Sequence, residues 1–598
     1  MANIDTITAE EAVSLPGLFY KRAQRSPNSI AYRQFDSKQS AWVDLSWKDM
    51  ATEIARWKAA LKSENLEYGD RVAIMMRNCP NWVKFEQAAL VLGLVVVPLY
   101  TNDRADNIGY IAQNADIKLI VFETQEQWDG LKQSIGQFGS VKRFVSINSI
   151  QGSDEARLKT ADDWLPDTAP ALEQPTIDKQ ALASIVYTSG TTGRPKGVML
   201  SHLNILSNAY AASQCDTFYT TDQFLSFLPL SHMFERTAGY YMAMIAGATT
   251  SYARSIEQLA EDLTTIRPTV LVTVPRIFER VRNKIKDQLA KKSPIAQKLF
   301  AKTVDVGWHR YQVSQRKASF HPKLLLWPIL NLLVAKKIMA KLGGNMRLAI
   351  SGGAPLTFDI AQTFIGLGLD ISQGYGMTEA SPIVCTNRLD DNEPASVGKV
   401  LPGVQVKLGD RDELLVKGDN VMLGYWENEQ ATKETIDADG WLHTGDIARI
   451  DREHIYITGR IKEIIVLANG EKVPPTDIEM AIANDSLFEQ VMVIGEGKPY
   501  LTALLVLNAD HWKELTEELK LPSDDAGQLN NEVASAKIVS RVAAQLGGFP
   551  GYAKIPKVHC MLEPWSIEEG LITPKMSLKR NKILEKFATE VEQLYSGH

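Results

Sequence analysis

The sequence predicts an α/β protein: a large N-terminal domain of parallel sheets covered by helices, a β-rich subdomain beside it, and a small α/β domain at the C-terminal end. Three observations carry this. Short β-branched runs alternate with helical stretches through the first part of the chain. From about Gly398 the helices drop out, and glycine turns separate short strands. After Arg460 a compact strand–helix pattern returns. At 598 residues the chain also exceeds one core, so at least two domains are expected.

Taken in order, "RVAIMM", "GLVVVPLY", "KLIVFE" and "RFVSIN" read as strands between Arg71 and Asn148. The helices "NWVKFEQAALVL" and "ADNIGYIAQNA" between them are long enough for parallel crossovers. The rhythm resumes with "SIVYTS", a loop, "GVML", and a helix with Ser201 as its N-cap. "TVLVTV" (Thr269 to Val274) is a further buried strand. A Lys- and Arg-rich helical insertion follows, around 276–342, before Gly343-Gly344 and the strand "MRLAIS". "GKVLPGVQVKL" and "DELLVKG" form the β-rich part; "EIIVLA", "QVMVIGEG" and "LTALLVL" are strands of the tail. The boundary is placed at Arg460 to Glu463, giving domains 1–460 and 461–598.

Ordinary apolar content and a net charge of -6 argue against a nucleic-acid binder. The start, "MANIDTITAEEAVSL", lacks a basic region followed by an apolar one, so no secretory signal is expected. Cys79, Cys215, Cys385 and Cys560 have no metal or redox spacing and read as reduced thiols of a cytoplasmic protein. "LLLWPILNLLVA" (Leu324 to Ala335) is too short to span a bilayer and reads as a buried or interfacial helix.

The chemistry starts with "VYTSGTTGRPKGV", Val186 to Val198. It resembles a phosphate loop with the wrong Walker spacing: the second-glycine position is Pro195 counted from Gly190, and Val198 counted from Gly193. Gly190 and Gly193 let backbone N–H groups approach an anion. Thr188, Ser189, Thr191 and Thr192 add hydroxyls, and Lys196 a full charge. "SGGAPL" (Ser351 to Leu356) is a second glycine loop at a strand end. "QGYGMTE" (Gln373 to Glu379) offers Tyr375 for stacking on a purine and Glu379 for Mg²⁺. "GWLHTGDIARID" supplies Asp446 for the two hydroxyls of a ribose, and "GRIKE" supplies Arg460 and Lys462. Any one could be a turn; five in this order point to a nucleotide site.

These five stretches resemble the signature motifs of the adenylate-forming superfamily, over nearly the whole chain. "LPLSHMFER" and the insertion opening with "VPRIFERVRNKI" make it most similar to the AMP-forming long-chain fatty acyl-CoA synthetases. The resemblance implies that a fatty acid attacks the α-phosphorus of ATP, giving acyl-AMP and pyrophosphate, and that CoA then releases AMP. It implies Mg²⁺ on Thr188 and Glu379, pyrophosphate in the 188–196 loop (Ser189, Gly190, Thr191, Thr192, Gly193, Lys196), and Thr378 at the α-phosphate. Gly352, Gly353, Ala354 and Tyr375 would frame adenine, with Gln373, Gly374 and Gly376 also binding the nucleotide; Asp446 would take the ribose hydroxyls and Arg460 the ribose or phosphate side. His232 would stand beside the carboxylate pocket, with a structural role as the competing reading. Glu235 and Arg236 could equally be a surface or helix-capping pair and are left out of the catalytic set. Lys462 would be the hinge of a mobile C-terminal domain.

One departure stands near the end. In "LITPKMSLKR" the family's tail lysine position is Ser577, with Lys575 and Lys579 two residues to either side. A shifted register using Lys575 or Lys579 is preferred; slow adenylation, or a catalytically weak lipid- or nucleotide-binding relative, are the other readings. An acyl-AMP ligase loading a carrier protein is a further alternative. Expected partners are a fatty acid of medium to long chain, ATP and CoA, with a homodimer and peripheral membrane contact through the basic insertion as further expectations.

Overall fold

The computed structural model describes residues 3–188, 194–522, 528–573 and 577–596. Its centre is two large sheets joined by one apolar cluster. One sheet has the strand order Gly424–Tyr425, Lys196–Ser201, Leu182–Thr188, Val95–Pro98, Arg71–Met75, Ile117–Phe122, Arg143–Ser146 and Leu158–Thr160. The strand Arg71–Met75 pairs in parallel with both its neighbours. Val95–Pro98 is buried along its whole length, which is why it reads as an unbroken apolar run. The joining cluster also takes in Trp82 and Phe85 of the helix Pro80–Val91 and Ile205 and Ala209 of the helix His202–Ser213.

The second sheet has a parallel centre of Thr249–Tyr252, Gln223–Ser226, Val270–Thr273, Leu348–Ser351 and Asp370–Gly376. Ser226, Thr273, Ser351 and Gly376 are the carboxyl ends of these strands and face one edge, where open α/β sheets bind ligands. A hairpin of Ile30–Asp36 and Ala41–Ser46 closes the far side, an element the sequence pattern did not announce. A four-stranded antiparallel sheet from Gln405–Leu408 to His454–Arg460 forms the β-rich part.

One local expectation is corrected. Leu182–Thr188 continues the parallel rhythm beside Val95–Pro98, but Lys196–Ser201 does not; it pairs antiparallel with Leu182–Thr188, with Thr188 opposite Lys196. The seven residues between them are too few for a parallel crossover, which needs a dozen or more. Ser201 is the expected N-cap, in a capping box with Asn204. The insertion consists of Pro275–Ala290, Pro294–Ser314 and short helical turns to Leu342.

Two apolar clusters of the tail take their buried residues only from Ile465 to Ile583, whereas the other four stop at Ile455. All four cysteines are free. Among the described residues no helix is long and apolar enough to cross a membrane.

Candidate functional site

The carboxyl-edge loops, the β-rich sheet and the tail together enclose a cavity of about 680 Å³. Thr188, Lys196, His232, Gly352, Gly353, Gly374, Tyr375, Gly376, Thr378, Glu379, Asp446, Arg460, Lys462 and Lys579 all line it. Ser189, Gly190, Thr191, Thr192, Gly193 and Lys575 lie outside the described residues. Ala354 is exposed beside the two lining glycines, and Gln373 is buried just behind Gly374; neither lines the cavity.

Asp446 anchors one end. Its strand pairs with His454–Arg460 so that Asp446 stands opposite Arg460. Arg460 Nε donates to Asp446 Oδ1 at 2.9 Å, and the Tyr375 hydroxyl donates to Oδ2. Asp446 is only 4% exposed, yet both oxygens keep lone pairs for further donors. Burial, reinforced by this carboxylate, pushes the Tyr375 phenol well above its usual pKa, so it remains a donor through neutral pH. Glu413, which the sequence reading missed, holds the Asp446 turn: it accepts from Gly445 N at 2.9 Å and contacts His443 Nδ1 at 2.9 Å. Two glycines are required by geometry here. Gly353 has φ +78, and a Cβ on Gly376 would run into the Pro382 carbonyl.

Elsewhere on the cavity lining, Thr188 and Lys196 stand opposite each other in the antiparallel pair. Lys196 Nζ lies 4.9 Å over the Tyr425 ring, and the Tyr425 hydroxyl donates to Glu379 Oε1 at 2.9 Å. Tyr425 is a second missed residue; only its place after Gly424 in a short aromatic turn marks it in the sequence. Glu379 sits in the single helical turn Thr378–Ala380 and is held by Met422 N donating to its carbonyl at 2.9 Å. Among the described residues no three His, Cys, Asp or Glu side chains converge as a metal cage. A hydroxyl and a carboxylate on one wall fit Mg²⁺, which ordinarily takes few protein oxygens and completes its shell with water and substrate phosphate.

His232 holds a turn and also lines the cavity: its Nδ1 accepts from Phe234 N at 3.2 Å. The alternative of a surface or helix-capping pair at Glu235 and Arg236 is overturned: both are buried, and the helical turn that starts there has no side-chain cap bond. Arg236 forms an ion pair with Glu86, with both side chains fully buried, and donates to Ser184 Oγ at 2.8 Å. Burial pushes Glu235 up to about 8.

The tail enters as a narrow hairpin. Lys579 N donates to Leu571 O at 2.8 Å and Thr573 N to Ser577 O at 2.9 Å. Thr573, Ser577, Leu578, Lys579 and Arg580 all line the cavity. Arg580 is tied back to Glu479 at 2.6 Å; Lys579 has no carboxylate within ion-pair distance among the described residues. The opposite wall is apolar and was not foreseen residue by residue. Phe234, Ala238 and Met242 recur every fourth residue from the turn after His232, and face Ala212, Cys215 and Phe218 in one buried cluster.

Comparison with known proteins agrees with this geometry. The profile of AMP-binding enzymes matches residues 19–426, and that of the AMP-binding enzyme C-terminal domain matches 462–598. The long-chain-fatty-acid--CoA ligase FadD15 of Mycobacterium bovis is 30% identical over 602 residues, covering 98% of each chain. The peroxisomal long chain acyl-CoA synthetase 6 of Arabidopsis thaliana is 30% identical over 582 residues, covering 92% of this chain and 81% of that protein. Two solved structures share the fold. The adenylation domain of a carboxylate reductase from Mycobacterium chelonae has a TM-score of 0.76 at 22% identity, covering 98% of this chain and 91% of its own. The anthranilate CoA ligase AuaEII has a TM-score of 0.75 at 18% identity, covering 98% and 100%. With one profile spanning most of the chain, a second its tail, and relatives matched almost end to end, the chain belongs to the family of AMP-binding enzymes.

Proposed function

We propose that this protein is an AMP-forming fatty acyl-CoA ligase acting on medium- to long-chain acids. The observation that carries the reading is a single cavity with two characters. A Tyr375–Asp446–Arg460 cluster built on the buried Asp446 carboxylate is one part of it, and the apolar wall of Phe234, Ala238 and Met242 is another. The relatives named as long-chain-fatty-acid ligases support the substrate class.

In the first half-reaction a carboxylate oxygen of the acid forms a bond to the α-phosphorus of ATP. The bond from that phosphorus to the bridging oxygen breaks, and pyrophosphate leaves. In the second, the CoA thiolate bonds to the acyl carbon and AMP leaves with the carboxylate oxygen; the thiol proton goes to solvent. The protein's part is positioning and charge neutralisation. Asp446 takes the ribose hydroxyls, Tyr375 and the glycines at 352, 353, 374 and 376 frame the base, and Lys196 faces the pyrophosphate. Thr188 and Glu379 would hold Mg²⁺, which neutralises phosphate charge when bound. Thr378 and Lys579 face the α-phosphate, and His232 the carboxylate. Residues 461–598 act as a domain that rotates about Lys462 between the half-reactions; their separate apolar cores support this division.

The test is acid-dependent pyrophosphate release across saturated acids from acetate to stearate, with and without CoA. Release rising with chain length, with thioester forming only when CoA is present, is expected. ATP binding without acid-dependent release would instead identify a nucleotide-binding relative that does not catalyse. Acyl-AMP that accumulates unchanged in the presence of CoA would point to carrier loading.

A further inference from the structure

Seventeen large apolar side chains are exposed among the described residues, and six of them fall between Phe320 and Leu333. Leu325, Ile329 and Leu332 recur at i, i+4 and i+7 and are 72%, 59% and 63% exposed, so they form one outward helical face. The other side of the same segment is built into the protein. Leu330 and Ala335 are buried, and the Trp327 ring covers Gly307 and Gly368. The outward leucines are therefore held in a fixed array, of a kind soluble surfaces seldom keep without a partner.

The charge along this segment of the chain has one sign. Between Asp305 and Asp359 the chain contains no Asp or Glu, while Arg310, Arg316, Lys317, Lys323, Lys336, Lys337, Lys341 and Arg347 fall in that interval, in a protein of net charge -6. Lys336 and Lys337 are exposed directly after the apolar face, and Lys323 stands before it, paired with Asp305 at 3.2 Å.

We propose that this face seats the protein on an anionic lipid surface, with Leu325, Ile329 and Leu332 at the acyl boundary and Lys336 and Lys337 among the headgroups. A leucine face followed by exposed cations that have no carboxylate partner among the described residues fits both layers of such a surface. A second copy of this chain fits poorly, because a two-fold contact would set the same lysines against each other. The cavity lies close by: Gln315, at the end of the helix leading to this face, donates to Leu389 O at 2.9 Å, and Leu389 N donates to the cavity-lining Asp216 at 3.0 Å. An acid dissolved in lipid would then lie near the cavity, a consequence that rests on the ligase reading. The lipid contact itself does not.

The experiment is co-sedimentation of the full chain with vesicles of phosphatidylcholine, alone or mixed with phosphatidylglycerol, at low and high salt. Binding that needs phosphatidylglycerol and weakens with salt is expected. The combined Leu325→Ser, Ile329→Ser and Leu332→Ser variant should bind at least ~10-fold more weakly, as should Lys336→Glu with Lys337→Glu. Melting temperature and ligation of a short soluble acid should stay unchanged in both. The charge variant alters only exposed side chains, so it carries the test even if the serine variant folds poorly. No co-sedimentation at low salt, or equal binding by the charge variant, would overturn the proposal. So would self-association in place of vesicle binding, lost in the serine variant, which would assign the face to a second copy. Because vesicle binding needs no turnover, its failure is distinguishable from failure of the ligase reading.

Discussion

Two carboxyls show how burial assigns different work to one side-chain type. Asp446 is buried and accepts from a guanidinium and a phenol. Asp446→Ala should therefore weaken ATP binding ~10–100-fold, the value of charge-assisted hydrogen bonds. Tyr375→Phe should cost only a few-fold, since it removes one donor; calorimetric titration with ATP distinguishes the two. Glu235 is buried with only the Ser226 hydroxyl to offset the loss of water, and its pKa rises to about 8. The folded state thus holds this proton more tightly than the unfolded chain does. Its contribution to stability is complete below about pH 4.5 and is lost as pH rises from there through 8, by up to ~1.4 kcal/mol per pH unit. Glu235→Gln should remove that slope and raise the melting temperature at pH 7.5, with little change at pH 4.5. An unchanged difference between the two pH values would show that the carboxyl is already ionised in the fold.

At the scale of elements, the tail hairpin carries the open chemical question. Leu571–Thr573 and Ser577–Lys579 pair across the strand bridge of Ile572 and Leu578, so the described arms reach the cavity with Ser577 at the position where the resemblance implies a lysine. Lys579 lines the cavity with no carboxylate tying it back among the described residues. Lys579→Ala should lower acid-dependent pyrophosphate release ~10²–10³-fold, as loss of one transition-state donor does, and leave thioester formation from added acyl-AMP intact. If Lys575→Ala gives that loss instead, the preceding lysine is the donor. Equal, small effects would mean that the tail supplies no cation. Most elements were legible because their signals are local: the apolar run at Val95–Pro98, the Ser201 cap, and the glycines before Tyr375 and at 352–353. The antiparallel turn after Thr188 was misread, because strand direction is set by loop length rather than by composition. Glu413, Tyr425 and the Phe234–Met242 wall were not legible, because their roles depend on partners 30 to 46 residues away or on a helix face met only in three dimensions.

For the whole molecule, the separation of cores has a measurable consequence. No apolar cluster among the described residues combines buried side chains from before Ile455 with any from after Ile465, yet the cavity takes walls from both sides. Folding of the large part should then not depend on the tail, whereas catalysis should. A chain ending at Arg460 keeps the Tyr375–Asp446–Arg460 cluster, Lys196 and Glu379 and loses Lys462, Lys579 and Arg580. It should melt cooperatively and bind ATP within about tenfold of the full chain, since most phosphate and ribose contacts stay. Its acid-dependent pyrophosphate release should fall ~10²–10³-fold or more, because the donor entering with the tail hairpin is absent. Retained ATP binding with lost release would place adenylation at the junction of the two parts. Full release by the truncated chain would locate the α-phosphate chemistry wholly in the large part, and the Ser577 position would then carry no weight in the first half-reaction.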